Sequence, residues 1–257
     1  MMVGKNCAKN FRVRIFGKFQ SKANIGEVLN LADVEAHFKI MVKVKICCIA
    51  SEAEAQLAIG MGAFAVGLVG EMPSGPGPIP DERIFQIARI VPSHIHTFLL
   101  TCETSAQAII EHHRRTLTNT IQIVDALTDR AYHFLRENLP GVKLVQVIHV
   151  IDDRSIDEAV EIAPMVDYLL LDSGNPNLQV KELGGTGRVH NWQISRKIVE
   201  AVGKPVFLAG GLKPENVRQA VETVQPFGVD LCSGVRTNGD LDAWKLERFF
   251  ANHFPVF

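Results

Sequence analysis

The chain has no CxxC pair, no zinc-ligand spacing and no GxGxxG motif after its first strand-like run. These absences argue against a structural zinc site and against a dinucleotide-binding fold. No apolar run approaches the roughly 20 residues that span a bilayer, so a soluble protein with no membrane partner is expected. An excess of one charge is lacking too. The 27 basic residues offset 28 acidic ones, for a net charge of -1, which disfavours nucleic acid as a partner. The five cysteines are Cys7, Cys47, Cys48, Cys102 and Cys232. Their number is odd and two are adjacent in an apolar run, which suits a reducing, cytoplasmic setting better than a disulfide framework.

What is present is length, apolar content and regular alternation. The chain has 257 residues, 47% of them hydrophobic, and a single (β/α)8 barrel takes roughly 250. Residues 1–40 stand apart. Residues 1–22 carry Lys5, Lys9, Arg12, Arg14, Lys18 and Lys22 and no acidic residue. No secretory h-region follows. An N-terminal extension is expected at 1–40, either dispensable ahead of Met41 or acting as a flap or oligomer contact. Residues 41–257 are expected to form the barrel.

Eight β-rich runs read as strands, at 42–47, 63–69, 97–101, 120–124, 142–150, 166–172, 205–209 and 229–232. Helical stretches separate them, at 51–59, 80–90, 105–115, 129–138, 155–163, 191–202, 214–224 and 241–251. Ser51, with Glu54 three residues on, has capping-box spacing. Strict alternation implies a parallel sheet with right-handed crossovers. Eight units fit a closed α/β barrel of the TIM type better than an open sheet.

In such barrels function sits where strands end. Strand seven ends in Leu208-Ala209-Gly210-Gly211 and strand eight in Cys232-Ser233-Gly234-Val235. Glycines let backbone N–H groups approach a phosphate closely, and these are the two loops where barrels recurrently hold one. The alternative is that the glycines only make tight turns. A third loop, Gly184-Gly185-Thr186-Gly187, is expected beside the same phosphate or as an ordinary flexible loop. Cys47 ends strand one and Asp172 ends strand six. A thiolate near positive charge can accept a proton, and a shielded carboxyl can hold and donate one. The alternative is a core thiol and a loop-bridging aspartate. Gln122, ending strand four, is placed to hydrogen-bond a ligand. His112 and His113 read as solvated surface, and Trp192 and Trp244 as packing anchors. His94, His96 and His149 lack metal spacing, so no metal or other cofactor is expected.

Lys45-Ile46-Cys47, Leu169-Leu170-Leu171-Asp172, the GGTG loop with Trp192, LAGGLKPENVRQA and GVDLCSGV together resemble the phosphoribosylanthranilate isomerase family. The resemblance runs from about residue 42 to the C-terminus and is densest in the last third. It implies an Amadori rearrangement of N-(5-phosphoribosyl)anthranilate to an aminoketose, a step in tryptophan synthesis, with no cofactor. Asp172 would be the general acid and Cys47 the general base. Gly210, Gly211, Ser233 and Gly234 would grip the phosphate, with Lys45, Gln122, Gly185, Gly187 and Arg236 in the substrate-binding set. The partner implied is a phosphorylated small molecule, bound by a monomer or homodimer.

Four positions depart from the family pattern. Cys48-Ile49-Ala50 replaces Gly-Ile-Thr. The loop at 71–79 has no basic residue where the family carries Ser-Pro-Arg for the anthranilate carboxylate. Strand four runs into Ile123-Val124-Asp125 where the family has Leu-His-Gly. Arg236 replaces a glutamate. A carboxylate in a closed pocket wants a paired cation. The expectation is that Arg236 or Arg188 supplies it, or that the substrate lacks that carboxylate.

Overall fold

Runs rich in Val, Ile and Leu that must be covered on both faces become the strands of an all-parallel sheet. The computed structural model describes residues 42–253, and the expected extension at 1–40 lies outside them. The strands are β1 Lys43–Ile46, β2 Ala65–Val69, β3 His96–Thr101, β4 Thr120–Ile123, β5 Lys143–His149, β6 Tyr168–Asp172, β7 Val206–Leu208 and β8 Gly228–Leu231. Between them lie α1 Glu52–Gly60, α2 Asp81–Ile90, α3 Ala106–Thr116 and α4 Asp129–Asn138. The second half contributes α5 Arg154–Ile162, α6 Trp192–Ala201, α7 Val217–Val224 and α8 Ala243–His253. β1 pairs in parallel with both β2 and β8, so the sheet closes into an eight-stranded barrel. The register sets Lys45 against Asp230 across that seam, and His149 against Asp172 between β5 and β6.

Alternate strand residues face opposite ways and build two cores. Ile46, Leu68, Leu99, Ile121, Ile148 and Leu208 pack outward among helix residues. Ala65, Phe98, Val145, Val147, Leu170 and Phe207 fill the interior. Phe64, His96, Tyr168 and Phe227 lie at or before the N-terminal ends of their strands. Their rings pack together there, tilted and edge-on, with His96 4.7 Å from Phe64 and Phe207 5.4 Å from Phe227. Gly228 makes that plug possible, since a Cβ there would lie 2.4 Å from the Phe207 ring. With the bottom plugged, the cavity opens at the C-terminal end of the strands.

Local differences from the sequence expectation have identifiable causes. α7 starts at Val217 because the Asn216 side chain accepts the Lys213 N–H at 2.8 Å and turns the chain first. Ser51 caps α1 as expected, accepting the Glu54 N–H at 3.2 Å. Glu54, however, accepts from Ala50 N–H at 2.9 Å and from Leu241 N–H at 2.8 Å. Leu241 belongs to an unanticipated hairpin, β9 Arg236–Thr237 with β10 Asp240–Leu241, so the cap fastens the last connection to the first helix. His112 and His113, expected on the surface, are buried. Both ring nitrogens of His112 are satisfied, by Thr101 Oγ1 at 2.9 Å and Asp81 Oδ1 at 3.0 Å, while His113 Nε2 meets the Thr118 carbonyl at 2.7 Å and its Nδ1 has no partner among the described residues. Trp192 packs against the core as expected. Trp244 does not; it is exposed and stacks under the Arg248 guanidinium at 4.6 Å.

Candidate active site

The C-terminal ends of the strands surround a cleft of about 740 Å³. Cys47, Gln122, Asp172, Gly210, Gly211 and Ser233 all line it. Residues from strands one, four, six, seven and eight therefore converge on one space.

Cys47 follows β1, its N–H bonded to the Leu231 carbonyl at 2.7 Å. Gly67 on the neighbouring strand leaves it room: a Cβ at Gly67 would lie 2.8 Å from Cys47 Sγ and 3.0 Å from Lys45 Nζ. The hydrogen bond from the Cys48 thiol pulls the Cys47 thiol down, with help from Lys45 and against the opposing effect of burial, to about 6. A thiol with that value is largely thiolate at neutral pH.

Asp172 ends β6 and is buried. Burial pushes its carboxyl up, against hydrogen bonding from Ser173 and the nearby charges of His149 and Lys45. Its Oδ1 accepts the Ser173 N–H at 2.8 Å. Its Oδ2 faces Gly184, where a Cβ would sit 2.9 Å away.

Lys45 is not at the cavity surface. It is fully buried beneath it, 2.8 Å from Asp230 Oδ2 and 5.3 Å from the Phe98 ring centre. The sequence reading placed Lys45 against substrate and overlooked Asp230, which does line the cleft. An aspartate inside an apolar strand was the available signal. Burial raises Asp230 to about 8, whereas its attraction holds Lys45 above the ordinary lysine value despite burial. These shifts oppose one another over whether the pair is ionised. The 2.8 Å contact favours the ion pair, because an unpartnered buried ammonium is the worse alternative.

At the opposite side, Gly210 and Gly211 adopt φ of 80° and 62°, conformations that favour glycine. A Cβ at Gly211 would lie 2.7 Å from the Arg188 carbonyl carbon, and one at Gly234 would lie 2.0 Å from the Leu212 carbonyl oxygen. The glycines therefore let three loops pack closely. They also leave donors: among the described residues, the N–H groups of Gly210, Gly211, Ser233 and Gly234 have no backbone acceptor. The GGTG loop spans the two ends of the site. Gly184 abuts Asp172, Gly185 packs on Pro76, and a Cβ at Gly187 would be 3.6 Å from Ser233 Oγ. A 2.6 Å contact between Ser173 Oγ and Thr186 Oγ1 ties this loop to the end of β6. Gln122 is buried, and its Oε1 has no partner among the described residues. A buried acceptor left unpaired is costly, so a ligand donor would be satisfied there.

Met72, Ser74, Pro76, Leu100, Val124 and Leu183 line the remaining part. No basic side chain among the described residues lines the cleft. Arg236, expected to bind substrate, is held elsewhere. It donates to Glu54 Oε1 at 2.9 Å, to the Gly239 carbonyl at 2.7 Å and to the Cys47 carbonyl at 3.3 Å. Its fork fastens the hairpin to the β1–α1 loop. Arg188 pairs with Glu182, and Lys181 with Asp125. No group of three or more His, Cys, Asp or Glu among the described residues is placed to hold a metal.

The fold and cleft define a (β/α)8 barrel with titratable groups and unpaired loop amides gathered at its C-terminal mouth. Residues 45–252 match the model of the N-(5'phosphoribosyl)anthranilate (PRA) isomerase family. The chain belongs to that family. It is 34% identical to an N-(5'-phosphoribosyl)anthranilate isomerase of Methanosarcina acetivorans over 224 residues, 82% of this chain and 92% of the relative. Among solved structures, the phosphoribosyl anthranilate isomerase of Thermococcus kodakaraensis superposes with a TM-score of 0.69 at 25% identity, covering 84% of this chain and 100% of that one. Another phosphoribosyl anthranilate isomerase, in complex with reduced 1-(o-carboxyphenylamino)-1-deoxyribulose 5-phosphate, has the same fold. Its TM-score is 0.69 at 24% identity, over 83% of this chain and 98% of that chain.

Proposed function

We propose that this chain is an aldose–ketose isomerase that performs the Amadori rearrangement of N-(5-phosphoribosyl)anthranilate, or of a closely related phosphorylated aminoaldose. The supporting observation is that Cys47 and Asp172 share one cleft with opposed tendencies: the thiol is pulled down to about 6 while burial pushes the carboxyl up. These tendencies favour Cys47 as the thiolate base and Asp172 as the protonated acid.

Phosphate would sit on the amides of Gly210, Gly211, Ser233 and Gly234, with Gly187 alongside and Gly185 holding the loop that carries it. Asp172 would give its proton to the ribose ring oxygen as the bond from that oxygen to C1 breaks. The nitrogen lone pair then forms the C1–N double bond of a protonated Schiff base. Cys47 thiolate would remove the C2 proton, and the electron pair returns to nitrogen through the C1–C2 double bond. Tautomerisation of the resulting enolamine yields the aminoketose. Atoms are conserved throughout, and the substrate's nitrogen is the electron sink. Gln122 would accept a hydrogen bond from a substrate donor.

The enzyme would act in tryptophan synthesis in the cytoplasm, as a monomer or homodimer. Turnover of N-(5-phosphoribosyl)anthranilate by the wild-type protein is expected, and loss of at least about a hundredfold in kcat in each of Cys47→Ala and Asp172→Ala. Binding of phosphorylated ligands without turnover of any aminoaldose would overturn the enzymatic reading. Undiminished turnover in both variants would overturn the residue roles.

A further inference from the structure

The family pattern has glycine where this chain has Cys48, and the structure gives that cysteine a partner. Cys48 is in the left-handed region, with φ of 61°, which turns its side chain across the barrel seam. Cys232 follows β8, the strand that pairs with β1 there. Cys232 Sγ donates to Cys48 Sγ at 2.7 Å, closer than sulfur atoms that are merely packed together. Both residues are free thiols and both line the cleft with Cys47. Gly77 lets the covering loop close down on Cys48, since a Cβ there would lie 2.7 Å from Cys48 Cβ. The Cys48 thiol also reaches the Pro76 carbonyl at 3.5 Å.

We propose that Cys48 and Cys232 form an oxidisable dithiol, closed to a disulfide by a small hydroperoxide, that reversibly switches off the adjoining site. The Cys232 sulfur attacks a peroxide oxygen as it gives up its proton. The O–O bond breaks, a sulfenic acid forms, and the departing hydroxide takes that proton to leave as water. The Cys48 sulfur then attacks the sulfenic sulfur, the S–S bond forms, the S–O bond breaks, and the departing hydroxide takes the Cys48 proton to leave as a second water. With hydrogen peroxide, the two thiols lose two electrons and two protons, and the oxidant becomes two waters. Neighbouring strands already hold the two sulfurs together, so closure needs little movement of either loop.

The consequence for activity rests on the reading of Cys47 as the base. A Cys48 sulfur in a disulfide has no proton to donate to Cys47. Cys47 then loses the strongest influence lowering its pKa and returns toward the ordinary thiol value of about 8.5. At pH 7 its thiolate fraction would fall by up to roughly thirtyfold, and kcat with it.

The test uses the full chain treated with stoichiometric hydrogen peroxide. Peptide mapping without reduction should show residues 48 and 232 cross-linked, with two fewer free thiols and the mass of two hydrogens lost. Dithiothreitol should restore both thiols and turnover. Cys48→Ser and Cys232→Ser should each form no cross-link, and Cys102→Ser should form it as the wild type does. A cross-link through Cys47, or oxidation with no cross-link, would overturn the proposal. Because the cross-link is read by mass, its appearance in a protein with no isomerase activity would count against the functional reading and not against the dithiol.

Discussion

Lys45 and Asp230 meet at 2.8 Å as direct register partners across the seam that closes the barrel, Lys45 buried beneath the cleft and Asp230 buried at its lining. The pair fastens the first strand to the last and sets a positive charge under Cys47. Removing one partner leaves an uncompensated buried charge. Lys45→Met should therefore destabilise the fold by about 3–5 kcal/mol, and the double variant Lys45→Met/Asp230→Leu should recover most of that. Urea denaturation measures both. A double variant no more stable than the single one would argue against the pair as the cause.

Turnover should follow a bell-shaped pH profile, because Cys47 acts deprotonated and Asp172 protonated. The rising limb should lie near pH 6, where Cys47 ionises. The falling limb should follow Asp172, above the ordinary carboxyl range. Cys48→Gly should move the rising limb to higher pH by removing the thiol that donates to Cys47. The same change relieves a left-handed backbone at φ 61° and should stabilise the fold by about 1 kcal/mol. Alkylation rate of Cys47 against pH, with urea unfolding, reads the two effects separately.

Gly234 is constrained by space, with a Cβ at 2.0 Å from the Leu212 carbonyl oxygen. Gly234→Ala should push the loops after β7 and β8 apart and misalign the donor amides. KM for a phosphorylated substrate should rise about tenfold with a smaller fall in kcat. Competitive inhibition by inorganic phosphate should weaken in parallel. Equal loss of activity with unchanged phosphate inhibition would place the anion elsewhere.

Arg236 is a fastener, its side chain only 8% exposed against Glu54. Arg236→Ala should destabilise the protein by about 1–2 kcal/mol, because the half-buried Glu54 carboxylate loses its charged donor and keeps only the Ala50 and Leu241 N–H groups. KM should change by less than about twofold, where loss of a substrate ligand would raise it tenfold or more. A large KM effect with unchanged stability would restore Arg236 to the substrate.

Ser74, in the loop after β2, lines the cleft, which has no basic side chain among the described residues. Ser74→Arg should lower KM for N-(5-phosphoribosyl)anthranilate roughly tenfold, since a charge-assisted hydrogen bond contributes about 1.5–3 kcal/mol. The aniline-derived analogue, which lacks the carboxylate, should gain nothing. Parallel kinetics on the two substrates check this, and equal gains would show that charge is not what the arginine adds.

Much was legible in the linear pattern because it depends on local periodicity. Eight β-branched runs alternating with amphipathic stretches imply a parallel sheet covered by helices, their number fits a closed barrel better than an open sheet, and each strand appeared within two residues of its expected ends. The glycine pair after β7 and Ser233-Gly234 after β8, and Cys47 and Asp172 at strand ends, were visible because position along a strand fixes which end of the barrel a residue reaches. What the tertiary structure alone decided was pairing between distant residues. Lys45 and Arg236 look like ligands in sequence because both carry charge beside the site. Contacts with Asp230 and Glu54, each more than 180 residues away in sequence, turned them into struts. His112 went inside with both nitrogens satisfied by Thr101 and Asp81, and His113 with its Nε2 on the Thr118 carbonyl. The contact between Cys48 and Cys232 likewise depends on the β1–β8 closure, the longest-range pairing in the barrel, which no local pattern encodes.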